Sequence, residues 1–131
     1  MIKLNFHSLP ENSESLIIRA NKFLLASALG NIFENAVKFS KNLPVTCNLN
    51  SESNSIHISI SDQGIGIPAD NIKDLFQPFY RARNARSFSG HGIGLALAQK
   101  IIRVHGGTIS VQSKIDEGAV FTVTLPTIIN T

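Results

Sequence analysis

Ile56-His57-Ile58-Ser59-Ile60-Ser61-Asp62-Gln63-Gly64-Ile65-Gly66-Ile67-Pro68 decides the fold. Isoleucine at every second position up to Ile60 marks a strand with one buried face, because side chains alternate across a pleated sheet. The alternation stops at a carboxylate. Two glycines spaced by one residue follow, which permit a tight turn and a close approach of backbone to a ligand. Pro68-Ala69-Asp70-Asn71 then opens a short helix expected to reach about Phe76. Strand, Asp-x-Gly-x-Gly turn and helix make either a common loop or the floor of a pocket. In a pocket, the carboxylate at the strand end would accept a hydrogen bond from an exocyclic amine.

Working upstream, Val45 to Leu49 reads as a partner strand joined through polar Asn50 to Ser55, so a hairpin is expected. Ile2, Leu4 and Phe6 alternate like another short strand, and Leu16-Ile17-Ile18 is a further strand-like run. Asn21 is placed as the N-cap of a helix running to Ser40, with Leu25, Ala28, Leu29, Ile32, Ala36 and Phe39 on one face. Downstream, Tyr80 to Ser89 has only Ala82, Ala85 and Phe88 to bury. A second long helix is expected from about Gly92 to Val104, burying Ile93, Leu97, Ile101 and Val104, and His105-Gly106-Gly107 stops it. Thr108 to Gln112 and Ala119 to Leu125 pair around Asp116-Glu117-Gly118, and the tail from Thr127 is expected to fray. Hairpins intermixed with helices give an α+β class: a two-layer α/β sandwich with a mixed, mostly antiparallel sheet and helices on one face.

A length of 131 residues fits one domain spanning 1–131, and 43% hydrophobic residues are enough to close its core. The net charge of +3 is a mild excess, and no Lys/Arg run with interleaved aromatics appears, so nucleic acid is not an expected partner. The single cysteine, Cys47, excludes an internal disulfide and reads as a small apolar side chain in a strand. The N-terminal residues lack the pattern of a signal peptide, and no apolar run approaches the ~20 residues of a membrane span. The polypeptide is therefore expected to be soluble.

Three further features carry chemistry. Asn31, Asn35 and Lys38, spaced i, i+4, i+7, fall in one stripe beside the apolar face of the first long helix. Two amide oxygens and an ammonium there make either a solvated polar face or an edge suited to hydrated Mg²⁺ and phosphate oxygens. Gly90-His91-Gly92-Ile93-Gly94-Leu95 stands directly before the second helix. Glycine-rich backbone at a helix N-terminus presents free N–H groups and a favourable dipole to phosphates. The string lacks the strand and βαβ unit of a dinucleotide fingerprint. Between the two glycine loops, the segment bearing Arg81, Arg83 and Arg86 reads as a lid whose arginines are either surface residues or phosphate clamps.

The order of these features resembles the GHKL ATPase superfamily and, within it, the ATP-binding domain of sensor histidine kinases. Gly30 to Ser40 is similar to the N box, Asp62 to Pro68 to the G1 box, Leu75-Phe76-Gln77-Pro78-Phe79-Tyr80-Arg81 to the F box, and Gly90 to Ala98 to the G2 box. His105 to Val111 and Gly118 to Phe121 are similar to the closing strands, so the resemblance covers about residues 21–126. It implies the Bergerat ATP-binding fold with ATP and Mg²⁺ as cofactors.

By that resemblance, Asp62 holds the adenine amine, and Gly64 and Gly66 let the turn pass close to the base. Asn35 binds Mg²⁺ with Asn31 nearby, Lys38 contacts phosphate, and Phe39 packs at the adenine pocket. Arg81 and Arg86 close on the γ-phosphate. Gly90, His91, Gly92, Gly94 and Leu95 form the phosphate cradle. Two departures are visible: Phe39 stands where family members often carry Tyr, and Gly-His-Gly replaces the frequent Gly-Thr-Gly or Gly-Ser-Gly.

The resemblance further implies transfer of the γ-phosphoryl of ATP to a histidine on separate dimerisation helices, with a response regulator downstream. His7, His57, His91 and His105 all lack the His-Glu or His-Asp context of that acceptor. The chain is thus expected to bind ATP or ADP as a monomer, without autophosphorylation, as the cytoplasmic portion of a membrane-bound kinase. Alternative readings are a self-contained GHKL ATPase, an anti-sigma-factor serine kinase or a degenerate scaffold. In the first, a Glu is expected where this chain has Asn31.

Overall fold

In a computed structural model, residues 2–7, 17–52, 54–79 and 94–128 are described, the first segment by its backbone alone. Among them five strands form one sheet: β1 (Ile2–His7), β2 (Val45–Glu52), β3 (Ser55–Ser61), β4 (Thr108–Ser113) and β5 (Ala119–Pro126). Their spatial order is β1-β2-β3-β5-β4, with β1 parallel to β2 and the other pairings antiparallel. Helices α1 (Lys22–Lys38) and α2 (Gly94–Val104) pack their buried residues against the sheet's apolar side chains. This is the expected two-layer α+β sandwich.

The β2–β3 hairpin is tighter than its polar middle indicated. The ladder continues through Asn50↔His57, Ser51↔Ile56 and Glu52↔Ser55. Cross-strand pairing satisfies the backbone of these polar residues as well as that of apolar ones. On the sheet face away from the helices, His57 lies between Thr124 and Ser55, with its Nδ1 and Nε2 each 3.1 Å from a hydroxyl oxygen. The Leu16-Ile17-Ile18 strand does not form where the chain is described. Residues 17–20 are irregular, and Ile17 contributes one backbone bond, accepting the Ile128 N–H at 2.8 Å.

Asn21 caps α1 as expected, its Oδ1 accepting the N–H groups of Phe23 and Leu24 at 3.0 Å each. The helix ends at Lys38 rather than Ser40. Lys41 and Asn42 both take positive φ (57° and 63°), which cannot continue a right-handed helix. Ser40 turns its hydroxyl back to donate to the Val37 carbonyl at 2.9 Å. Pro68 leads into a single 3-10 segment, Ala69–Asp74, shorter than the expected helix.

In α2 the buried residues are Ala98, Ile101 and Ile102, whereas Leu97 and Val104, expected inside, are 43% and 74% exposed. The helix contacts both α1 and β4, so its inward stripe is set by two neighbours, and small Ala98 is fully buried. His105 ends it by a clamp. Its Nε2 accepts the Asn21 N–H at 3.0 Å, which leaves Nδ1 protonated to donate to the Ile101 carbonyl at 2.7 Å. The two helices are therefore antiparallel, with the N-terminus of α1 beside the C-terminus of α2. Phe121, Ile32, Ile60, Ile102 and Leu125 fill the centre, and Phe76 meets the Phe121 ring edge-on at 6.4 Å.

Candidate functional site

The polar stripe of α1 lies at the end of the helix pair opposite the His105 clamp. Asn31 and Asn35 are half-buried on α1. Asn31 lies against the start of α2: a β-carbon on Gly94 would stand 3.6 Å from the Asn31 Cγ. Leu95, next in α2, packs on the core. Lys38 holds its Nζ 5.5 Å from the centroid of the Phe39 ring, within cation–π range. Phe39 is half-buried and packs on the core.

Asp62 stands where β3 leaves the sheet, 7% exposed. Its backbone N–H donates to the Ala119 carbonyl at 2.9 Å, which carries β3–β5 pairing one step beyond the strand. The carboxylate Oδ1 accepts the Gly64 N–H at 2.9 Å. Burial pushes this carboxyl above the ordinary carboxylate range, while the N–H groups of Gly64 and Ala119 pull in the opposite direction. A buried acceptor with one edge turned into its own loop is suited to receive a neutral N–H donor, such as an exocyclic amine.

The glycines of the loop are required first by the protein itself. A β-carbon on Gly64 would lie 1.5 Å from the Phe39 carbonyl oxygen. On Gly66, whose φ is +72°, it would lie 1.9 Å from the Lys114 carbonyl oxygen. Ile65 donates to the Phe39 carbonyl at 3.2 Å and accepts the Asp116 N–H at 2.8 Å. The loop is thus gripped between the end of α1 and the β4–β5 turn.

Asn31 is brought to Gly94, Phe39 to Gly64, and Asp62 to the mouth of the same loop. Arg81, Arg86, Gly90, His91 and Gly92 lie outside the described residues. Sequence reasoning missed the grip of the β4–β5 turn on the loop, including Ser113 and the Lys114 carbonyl. The one local signal is Gly118, which closes that turn at φ +81°. Among the described residues no group of three or more His, Cys, Asp or Glu side chains assembles. A separate cleft of about 410 Å³ at the far end of the helices, lined by Arg19, Asn21, Val104, His105 and Ile128 among others, shares no residue with this site. No helix among the described residues is long and apolar enough to cross a membrane.

Known proteins share both sequence and fold with this chain. It is 40% identical over 114 residues to the heme sensor protein HssS of Staphylococcus haemolyticus, covering 86% of this chain and 25% of that protein. It is 34% identical over 116 residues to the sensor histidine kinase WalK of Bacillus subtilis, covering 85% of this chain and 19% of that protein. The chain therefore spans a quarter or less of these relatives. Among solved structures, a mycobacterial sensor histidine kinase, MprB, superposes with a TM-score of 0.81 at 27% identity, covering 95% of this chain and 83% of that one. Residues 20–129 match the model of an ATP-binding family, and on that match the chain belongs to the histidine kinase-, DNA gyrase B- and HSP90-like ATPases.

Proposed function

We propose that this domain binds ATP with Mg²⁺ between α1, the Asp62–Ile67 loop and the start of α2, and presents the γ-phosphoryl group to a histidine on a separate helical domain. The observation that carries this reading is the buried Asp62 carboxylate, held at the end of a strand whose following loop rests on the Phe39 carbonyl where α1 ends. A base amine donates to Asp62, and the triphosphate runs toward α1. The two asparagine amides fit Mg²⁺, which keeps several waters and takes few protein ligands beside phosphate oxygens. Bound Mg²⁺ would neutralise triphosphate charge. Lys38 adds a cation at that end, Gly94 keeps the start of α2 close to Asn31, and the buried loop excludes water from the base.

In the transfer itself, the bond from the γ-phosphorus to its bridging oxygen breaks, a phosphorus–nitrogen bond forms on the acceptor imidazole, and ADP leaves. Positioning and charge neutralisation dominate such reactions. The acceptor, the dimerisation helices that carry it and a response regulator downstream belong to the whole kinase, which this reading places at the cytoplasmic side of a membrane. Arg81 and Arg86 are assigned to the γ-phosphate, and Gly90, His91 and Gly92 to the phosphate cradle. Asn31, an amide where a hydrolytic member would need a carboxylate base, favours phosphoryl donation over ATP hydrolysis.

Calorimetric titration with Mg²⁺·ATP tests the binding. One nucleotide per chain is expected, with affinity lowered at least about tenfold in Asp62→Asn, the worth of one hydrogen bond to a charged group. Wild-type protein that takes up no ATP overturns the reading. So does label from γ-labelled ATP accumulating on this chain alone, because the acceptor would then be among its own histidines.

A further inference from the structure

We infer that Ser113 is a positioning residue for the nucleotide loop, fixing through one hydroxyl where Asp62 stands relative to α1. This rests on the ATP-binding reading above. Ser113 is the last residue of β4 and is not expected to touch ligand. Its Oγ accepts the Ile67 N–H at 2.8 Å and donates to the Gly118 carbonyl at 2.6 Å. One hydroxyl therefore joins the exit of the loop to the far side of the β4–β5 turn, donating one hydrogen bond and accepting another.

The other ties make this clip consequential. The Asp62 N–H donates to the Ala119 carbonyl at 2.9 Å, and the Asp116 N–H donates to the Ile65 carbonyl at 2.8 Å. Gly118 backs directly onto Asp62: a β-carbon there would lie 2.0 Å from the Asp62 carbonyl oxygen. The loop is thus held at positions 62, 65 and 67 by a single turn. Of these three ties the first two run backbone to backbone, and the one at Ile67 depends on a side chain. On its other flank the loop rests on the Phe39 carbonyl at the end of α1. Ser113 therefore acts on the separation between the carboxylate that takes the base amine and the amides that face the triphosphate. Without the hydroxyl, the Ile67 N–H loses its partner in a largely buried setting, and the loop shifts to find another.

The test compares nucleotides that differ only in the base. Mg²⁺·ATP, Mg²⁺·ITP and Mg²⁺·tripolyphosphate are titrated into wild type, Ser113→Ala, Ser113→Thr and Ser113→Cys. Inosine offers a carbonyl where adenine offers its amine, so ITP reports binding without the Asp62 contact. Ser113→Ala is expected to weaken ATP about tenfold, as one lost polar contact would, while ITP and tripolyphosphate stay within about twofold. Threonine, which keeps the hydroxyl, restores the ATP preference. Cysteine, of similar volume but a weak donor and acceptor, behaves like alanine and carries the test if alanine fails to fold. Amide exchange at Ile67 quickens in the alanine and cysteine variants. An ATP-to-ITP ratio unchanged in Ser113→Ala and Ser113→Cys overturns the inference, whether both affinities hold or both fall together. Wild-type protein that binds no ATP overturns the function proposed above and not the clip, which the Ile67 exchange rate still reports.

Discussion

Asp62 carries a cost of burial. Burial disfavours its charged form, so its folded-state pKa is raised. A raised acid contributes stability that is whole below the ordinary carboxylate range, and this is lost as pH climbs through the folded-state value. Asparagine keeps the Oδ1 that accepts the Gly64 N–H but has no charge to bury. Asp62→Asn is therefore expected to gain stability on wild type as pH rises from about 4, the ordinary aspartate value, while losing ATP affinity. Urea unfolding across a pH series checks this, and a wild type that gains on the variant with rising pH contradicts it. At Gly66, alanine meets both a left-handed φ and the Lys114 carbonyl. Gly66→Ala is expected to destabilise by more than about 1 kcal/mol and to weaken ATP as the loop is displaced, read by melting and by titration.

The helix pair shows which parts of the site a local pattern can specify. Asn21 and the spacing of Ala28, Ile32 and Ala36 made α1 legible, because cap and period both lie within the helix. The polar stripe was legible for the same reason. The buried face of α2 was not, since Leu97 and Ala98 are both apolar and only the positions of α1 and β4 choose between them. The grip of the β4–β5 turn was still less legible: Ser113 meets Ile67 across 46 positions of sequence, and the one local signal, Gly118, marks the turn without naming what the turn holds. Asn21→Ala is expected to cost about 1 kcal/mol through lost capping. His105→Ala removes two hydrogen bonds at the same end and is expected to cost about 1–2 kcal/mol. Both changes lie at the opposite end of the pair from Asn31, so neither should alter the ATP dissociation constant; a large change in either variant would mean that the helices shift as one body.

Across the whole molecule, the sheet's inner face and the two helices share one core, in which Phe121 is fully buried and meets Phe76 edge-on. Truncating Phe121 to alanine is expected to cost about 3–5 kcal/mol, a large part of the stability of a domain this size. ATP at a hundredfold excess over its dissociation constant would return about 2.7 kcal/mol, so the variant should unfold without nucleotide at a temperature where its saturated form survives. Differential scanning with and without Mg²⁺·ATP reads both effects.

The carbonyls that grip the loop bear on how this sequence can drift. Phe39 and Lys114 press on Gly64 and Gly66 through backbone oxygens, which every amino acid possesses. The constraint is therefore written only on the glycine side of each pair. Saturation mutagenesis scored by ATP retention should find position 114 open to almost any residue and position 39 open to apolar ones. Proline is excluded at 39, whose N–H donates to the Asn35 carbonyl. Positions 64 and 66 should admit no replacement. A site can then keep its shape while one half of each essential contact varies.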